Sequence, residues 1–166
     1  TLKTSGIDLN LAYSFNLGDR GNLGLQYMAT WVSEFEEESL PGATPFDCAG
    51  YYGGACGAPR PDFRHRLSVD YAPTELVNVK LTWRYINEVK QFGANTSPII
   101  SRLKATSYFD LAASYKLTPK IELRAGINNL LDQDPPLTSI AGFGGTETSG
   151  RGNTYPQIYD AQGRFL

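Results

Sequence analysis

Few residues in this 166-residue sequence are equipped for bond-making chemistry. It has one histidine, His65, and two cysteines, Cys48 and Cys56, which bracket "AGYYGGA" in a Gly/Pro-rich stretch. Nucleophilic catalysis needs a hydroxyl or thiol beside a base that a third group orients. One histidine and two loop cysteines make no credible set of that kind. A protein metal site wants several donors at ligand spacing, and His65 has no further ligand pair. The redox C-x-x-C pattern is absent. The glycine words "GFGG" (142–145) and "SGRGN" (149–153) follow no strand-to-helix transition, so they read as flexible loop and not as a phosphate cradle. The chain is therefore not expected to be an enzyme, nor to hold a cofactor or a metal.

What remains is charge, set out at alternating positions. Asp70, Lys80, Arg84, Asp110, Lys116, Glu122 and Arg124 fall on the same register as Gln26, Thr30, Ser68, Asn78, Thr82, Ser114 and Asn128. The interleaved register is apolar. In "GIDLNLAYSFNL" (6–17) it carries Ile7, Leu9, Leu11, Tyr13, Phe15 and Leu17. It returns as Leu23, Leu25, Tyr27, Ala29 and Trp31, as Leu67, Val69 and Tyr71, and as Val77, Val79, Leu81, Trp83 and Tyr85. Phe109, Leu111, Ala113, Tyr115 and Leu117 follow, then Ile121, Leu123, Ala125 and Ile127. Strict alternation is the mark of a β-strand with two unlike faces. It predicts strands over 6–17, 22–35, 64–72, 76–86, 108–117 and 121–130. An acidic run, "SEFEEES" (33–39), tops the second of these, and within it Glu34 continues the polar register.

The apolar faces must bury against a soluble core or against lipid. Net charge is −2 with no basic stripe, so a nucleic-acid partner is not expected. Mean hydropathy is −0.31, and no apolar run approaches the ~18 residues of a membrane helix. That argues against a helical membrane protein but not a β-barrel, whose alternating strands average to a polar composition.

Three features favour lipid. Tight connections at 18–21, 73–75 and 118–120 alternate with long ones at roughly 36–63, 87–107 and 131–160, as in outer-membrane barrels. With the tight turns called the bottom, Phe15, Tyr71 and Tyr115 lie low and Trp31, Trp83, Tyr85 and Phe109 lie high, leaving an aliphatic band between two aromatic belts. Tyr13 and Tyr27 fit this less well. Most strands offer about 9–11 residues, enough for a tilted crossing. A soluble β-sandwich would have shorter connections.

Local words then become recognisable. "LKTSGIDLNL" (2–11), "FDCAGYYGGACGAPRPDFRHRL" (46–67), "AGINNLLDQDPP" (125–136) and "GNTYPQIYDAQGRF" (152–165) resemble, in order, the C-terminal barrel of TonB-dependent outer-membrane receptors. The resemblance implies an all-β fold, an antiparallel up-and-down transmembrane barrel segment. It would supply about six full strands and a truncated last strand of a roughly 22-stranded barrel. Residues 1–166 are then expected to be the C-terminal part of the barrel domain, without the plug. Thr1 is not an initiator Met and no charged-then-apolar leader follows it, so either a leader has been removed or the chain is a fragment; the resemblance implies a piece of a receptor.

On this reading the protein sits in the outer membrane of a Gram-negative bacterium. Its partners are membrane lipid, its own plug domain, the rest of the barrel and, through the N-terminal part, the TonB system. The function implied is active uptake of a scarce nutrient of the siderophore-iron, cobalamin or carbohydrate class, with the ligand itself unspecified. A passive porin-like barrel and a soluble β-rich carbohydrate-binding module are the alternatives.

Cys48 and Cys56 would lie in the first long loop on the extracellular side, where disulfides form, and the intervening glycines let the gap close. Glu34, Lys80, Arg84, Asp110 and Arg124 are the candidate lumen or mouth contacts. Glu34 is the residue singled out for a cation or cationic ligand at the mouth; the other lumen charges are mostly expected to pair with one another or with the plug, with direct substrate contact the minority reading for Arg84, near the top. Tyr51, Tyr52 and Phe143 are loop aromatics able to stack on a sugar or a catecholate. Asn128, Asn129 and Asp132 read as strand-end and turn hydrogen-bonding residues.

Overall fold

The computed structural model describes residues 1–38, 40–93, 102–138 and 154–166. Its strands are β1 (Leu2–Asn16), β2 (Asn22–Glu37), β3 (Phe46–Asp47), β4 (Tyr51–Tyr52), β5 (Phe63–Ala72), β6 (Val77–Ile86), β7 (Val89–Gln91), β8 (Arg102–Leu103), β9 (Thr106–Thr118) and β10 (Ile121–Ile127). The long ones form one antiparallel sheet in the order β1-β2-β5-β6-β9-β10, with β3 paired to the far end of β2. The sheet is open and not closed on itself. The alternation located all of the long strands; β1 begins earlier than expected, at Leu2, and β10 ends at Ile127 where "NNLLD" turns away.

Register sets the two faces. One row across the sheet runs Tyr13, Leu25, Val69, Leu81, Leu111, Ile127; the row below it is Phe15, Leu23, Tyr71, Val79, Ala113, Ala125. The row above is Leu11, Tyr27, Leu67, Trp83, Phe109, so Tyr27 falls in with the upper aromatics. Among the described residues nothing covers this face: Ile7, Leu11 and Tyr13 on the edge strand β1 are 61%, 55% and 64% exposed, and Leu81 and Leu123 further along are 40% and 56% exposed. On the opposite face Ser68 and Thr82 are buried and face each other at 3.3 Å.

Two glycines are dictated by close approach. In the first tight turn, a Cβ on Gly21 (φ 88°) would lie 2.0 Å from the Ala72 carbonyl oxygen of the neighbouring turn. A Cβ on Gly6 would lie 2.3 Å from the Trp31 carbonyl oxygen. Gly6 marks a β-bulge: Gly6 pairs with Val32 but Ser5 pairs with Glu34, leaving Ser33 as the extra residue. The bulge shifts the register of β2 by one. Ser5 stands two residues before Ile7, so Glu34 shares the apolar face of Ile7 and not the polar face. The expected lumen register of Glu34 is thus overturned. Phe35 turns instead to the polar face, where the Arg60 guanidinium stacks on its ring at 4.0 Å.

The long connections have structure of their own. Strands β4, β7 and β8 make a second, three-stranded sheet, and Cys48 and Cys56 are joined by a disulfide beside it. Tyr52, Val89, Leu103, Tyr155 and Tyr159 pack into one buried cluster, with Ala58, Ile86 and Ile158 against it. The largest buried apolar cluster among the described residues therefore lies in the loops, not in the strand wall.

Candidate functional site

The polar face of the wall and the loop cap meet at Arg84. This residue is near the end of β6, in a row with Arg66 on one side and Tyr108 on the other. Its guanidinium is engaged on two edges. Nε and Nη2 donate to the two Asp110 carboxylate oxygens at 2.7 and 2.9 Å. Nη1 and Nη2 donate to the Asp160 carboxylate at 3.0 and 2.5 Å. The fork geometry of guanidinium suits such paired bidentate contacts. The buried Tyr108 ring lies under the guanidinium at 5.0 Å, and its hydroxyl accepts from the Asp160 backbone N–H at 3.3 Å. Two aspartates on one arginine leave the cluster with one net negative charge.

Asp110 also reaches the end of β10, accepting from the Asn129 N–H at 3.0 Å. Asn129 and Asp132 both have positive φ, 51° and 55°, a conformation that Asn and Asp tolerate better than other side chains do. The Asn129 side chain closes the turn by exchanging hydrogen bonds with the Gln133 backbone at 3.0 and 2.9 Å. Asp132 Oδ1 accepts from the Arg164 N–H at 2.9 Å, and Asn128 bridges to Phe165. The "NNLLD" word thus works as a clasp between strand end, wall and C-terminal segment.

The other expected contacts are placed as follows. Lys80 lies 3.3 Å from Asp70, its neighbour across the register. Arg124 pairs along its own strand with Glu122 at 3.0 Å. Glu34, on the apolar face, pairs with Lys3 at 2.8 Å and accepts from the Ser5 hydroxyl at 3.2 Å. The structure brings Arg84 and Asp110 together and keeps Lys80, Arg124 and Glu34 apart from them. Tyr51 is exposed at the cap surface with its ring edge-on to Phe92 at 5.7 Å. Tyr52 is buried on the other side of the small sheet, edge-on to Tyr155, and offers no free stacking face. Burial raises the hydroxyl pKa of Tyr52, Tyr155 and Tyr159 above the ordinary tyrosine range. Phe143 and both glycine words lie outside the described residues.

Sequence reading missed Asp160, Lys90, Phe92 and Arg102. Tyr51 pairs with Lys90 and Lys90 with Arg102, so these three share the exposed face of the small sheet. Nothing local in the sequence announces this, because β4 comes from one long connection and β7 and β8 from the next.

An open antiparallel wall with one apolar and one polar face, tight turns at one end and a structured cap at the other has the architecture of a section of a large β-barrel. The family model described as "TonB dependent receptor-like, beta-barrel" matches residues 1–130, and the chain belongs to that family. Among solved structures it is similar to a mutant of the ferric enterobactin receptor of Pseudomonas aeruginosa, with TM-score 0.56, 15% identity and 84% of this chain covered. A second mutant of that receptor, in complex with enterobactin, gives TM-score 0.55 and 16% identity, again over 84% of this chain. The chain spans only 19% and 18% of those receptors. No curated protein matches. At this identity the likeness carries the fold. The family consists of transport receptors rather than enzymes.

Proposed function

We propose that this chain is wall and cap of an outer-membrane active transporter for a scarce nutrient, with a plug in the lumen and energy delivered through TonB. The observation that carries the reading is the barrel-family match over residues 1–130. The separation of faces supports it: a continuous apolar surface for lipid, and a polar surface on which Lys80 pairs with Asp70, Arg84 with Asp110 and Arg124 with Glu122.

Within the three nutrient classes, the cap favours an anionic ligand with a planar or ring-shaped face. Tyr51 supplies an exposed ring braced by the half-buried Phe92, Lys90 makes no ion pair among the described residues, and there Arg102 reaches only Glu88 at 3.8 Å. A ferric siderophore fits that chemistry better than a neutral oligosaccharide does. Arg84 does not serve as a ligand contact on this reading, because two carboxylates already satisfy it. Its role is to hold the C-terminal segment over the polar face.

The test is growth of the source bacterium with the full-length gene deleted. Ferric siderophore, cobalamin or an oligosaccharide is supplied as the limiting nutrient, with TonB intact or disabled. The expected result is loss of uptake of an iron complex in the deletion strain, and the same loss when TonB is disabled. Uptake that persists without TonB would point to a passive porin. A full-length product that is soluble and monomeric without detergent would point to a soluble binding module.

A further inference from the structure

The apolar face of the wall is aliphatic over most of its height, but near the cap it carries an open groove of about 740 Å³. The groove floor is aromatic: Trp31, Phe63, His65 and Trp83. His65 is wedged edge-on to Trp83 at 4.5 Å and stacked on Tyr85 at 5.3 Å, so the rings brace one another. Both tryptophans of the chain stand here. At the cap end the lining turns polar. The Tyr85 hydroxyl donates to Asn87 at 3.0 Å, and Asn87 donates to the Asp62 carboxylate at 2.9 Å.

We propose that this groove is a binding site for an outer-leaflet glycolipid, its sugar ring on the aromatic floor and its hydroxyls at the Asp62–Asn87–Tyr85 lip. The inference rests on the membrane reading above. Three observations carry it. The groove is continuous with the apolar face, so its occupant comes from the lipid phase. Its polarity changes from apolar to polar along the strands in the same order as the membrane interface. Among the described residues its lining carries one carboxylate, Asp62, and no lysine or arginine, which disfavours a bare phosphate and suits a neutral hydroxylated ring, whose faces stack on aromatics and whose edges pair with carboxylate and amide.

The test uses the full-length receptor in nanodiscs of phosphatidylcholine, phosphatidylglycerol and monoglucosyl diacylglycerol, with native mass spectrometry of the lipids retained after mild delipidation. The wild type is expected to retain the glucosyl lipid several-fold above its share of the disc. Trp83→Leu should bring retention close to that share. Trp31 is half exposed and its replacement leaves the wall intact, so Trp31→Leu serves as the second variant, with an expected loss of about fivefold for one stacking ring. Retention of the glucosyl lipid at its bulk share, or unchanged retention in both variants, overturns the site. Preferential retention of phosphatidylglycerol overturns it in favour of an anion site. A receptor that does not enter the disc at all overturns the membrane reading itself, which is a distinguishable failure.

Discussion

The wall and the cap are built on opposite principles. In the wall, neighbours are fixed by backbone register, and the large apolar side chains of one face are left uncovered by the protein. In the cap, short strands contribute little pairing, and order comes from a disulfide and from five side chains buried together: Tyr52, Val89, Leu103, Tyr155 and Tyr159. On the proposed reading the wall is completed by a membrane, and the cap is a small core of its own. Substitutions should therefore have local consequences in the cap and positional, face-dependent consequences in the wall.

The largest effect is expected from Tyr155→Ala. It removes a fully buried ring from the centre of the cap, at a cost of about 3 kcal/mol of local stability. Hydrogen exchange on the full-length receptor should show lost protection at Val89–Gln91 and Arg102–Leu103 while β5 and β6 keep theirs. Equal loss in the wall would mean that the two regions form one cooperative unit.

Arg84→Leu sharpens the same comparison from the wall side. It leaves Asp110 and Asp160 facing each other, both mostly buried, at a cost of about 2 kcal/mol. Limited proteolysis should then cut near Tyr155–Asp160 faster, with the barrel still inserted. A variant indistinguishable from wild type would remove the ion pair from its proposed role as fastener of the C-terminal segment.

Alkaline pH should separate the regions without mutation. Burial raises the pKa of the Tyr52, Tyr155 and Tyr159 hydroxyls, so the folded cap keeps protons that the unfolded cap releases above about pH 10. The contribution of these groups is fully present below that pH and falls as pH rises through the raised values. Tyrosine absorbance near 295 nm should show this subset ionising late and together with loss of cap protection. Ionisation at the ordinary value would contradict their burial.

The smallest effect is expected from Glu34→Gln. On the apolar face, paired with Lys3, Glu34 has no path to a ligand in the lumen, and ligand affinity should be unchanged. A loss of affinity would place Glu34 back on the polar face and deny the bulge.

The two regions also differed in how legible they were. The period of two located the strands and their faces, because a strand face is a local property of the sequence. Glu34 was misplaced because one extra residue inverts every side chain beyond it. The clue was in the partner strand, where Gly6 follows Thr4 and Ser5 and permits the close approach to the Trp31 carbonyl that the bulge requires. The Arg84–Asp110 pair was foreshadowed by two opposite charges on one register. Asp160 was not, since 76 residues separate it from Arg84 and no periodicity links them. Tyr52 looked like a loop aromatic for the same reason: Val89 and Leu103, and Tyr155 and Tyr159, reach it from two other connections.

The most direct test of the central claim is a nitroxide scan of residues 7–14 in the full-length receptor, reconstituted in lipid. Collisions with oxygen report lipid, and collisions with a water-soluble nickel chelate report an aqueous lumen. The account predicts a period of two, with labels at Ile7, Leu9, Leu11 and Tyr13 accessible to oxygen and labels at Asp8, Asn10, Ala12 and Ser14 shielded from it. Uniform accessibility to the nickel chelate on both registers, or an inverted alternation, would contradict it.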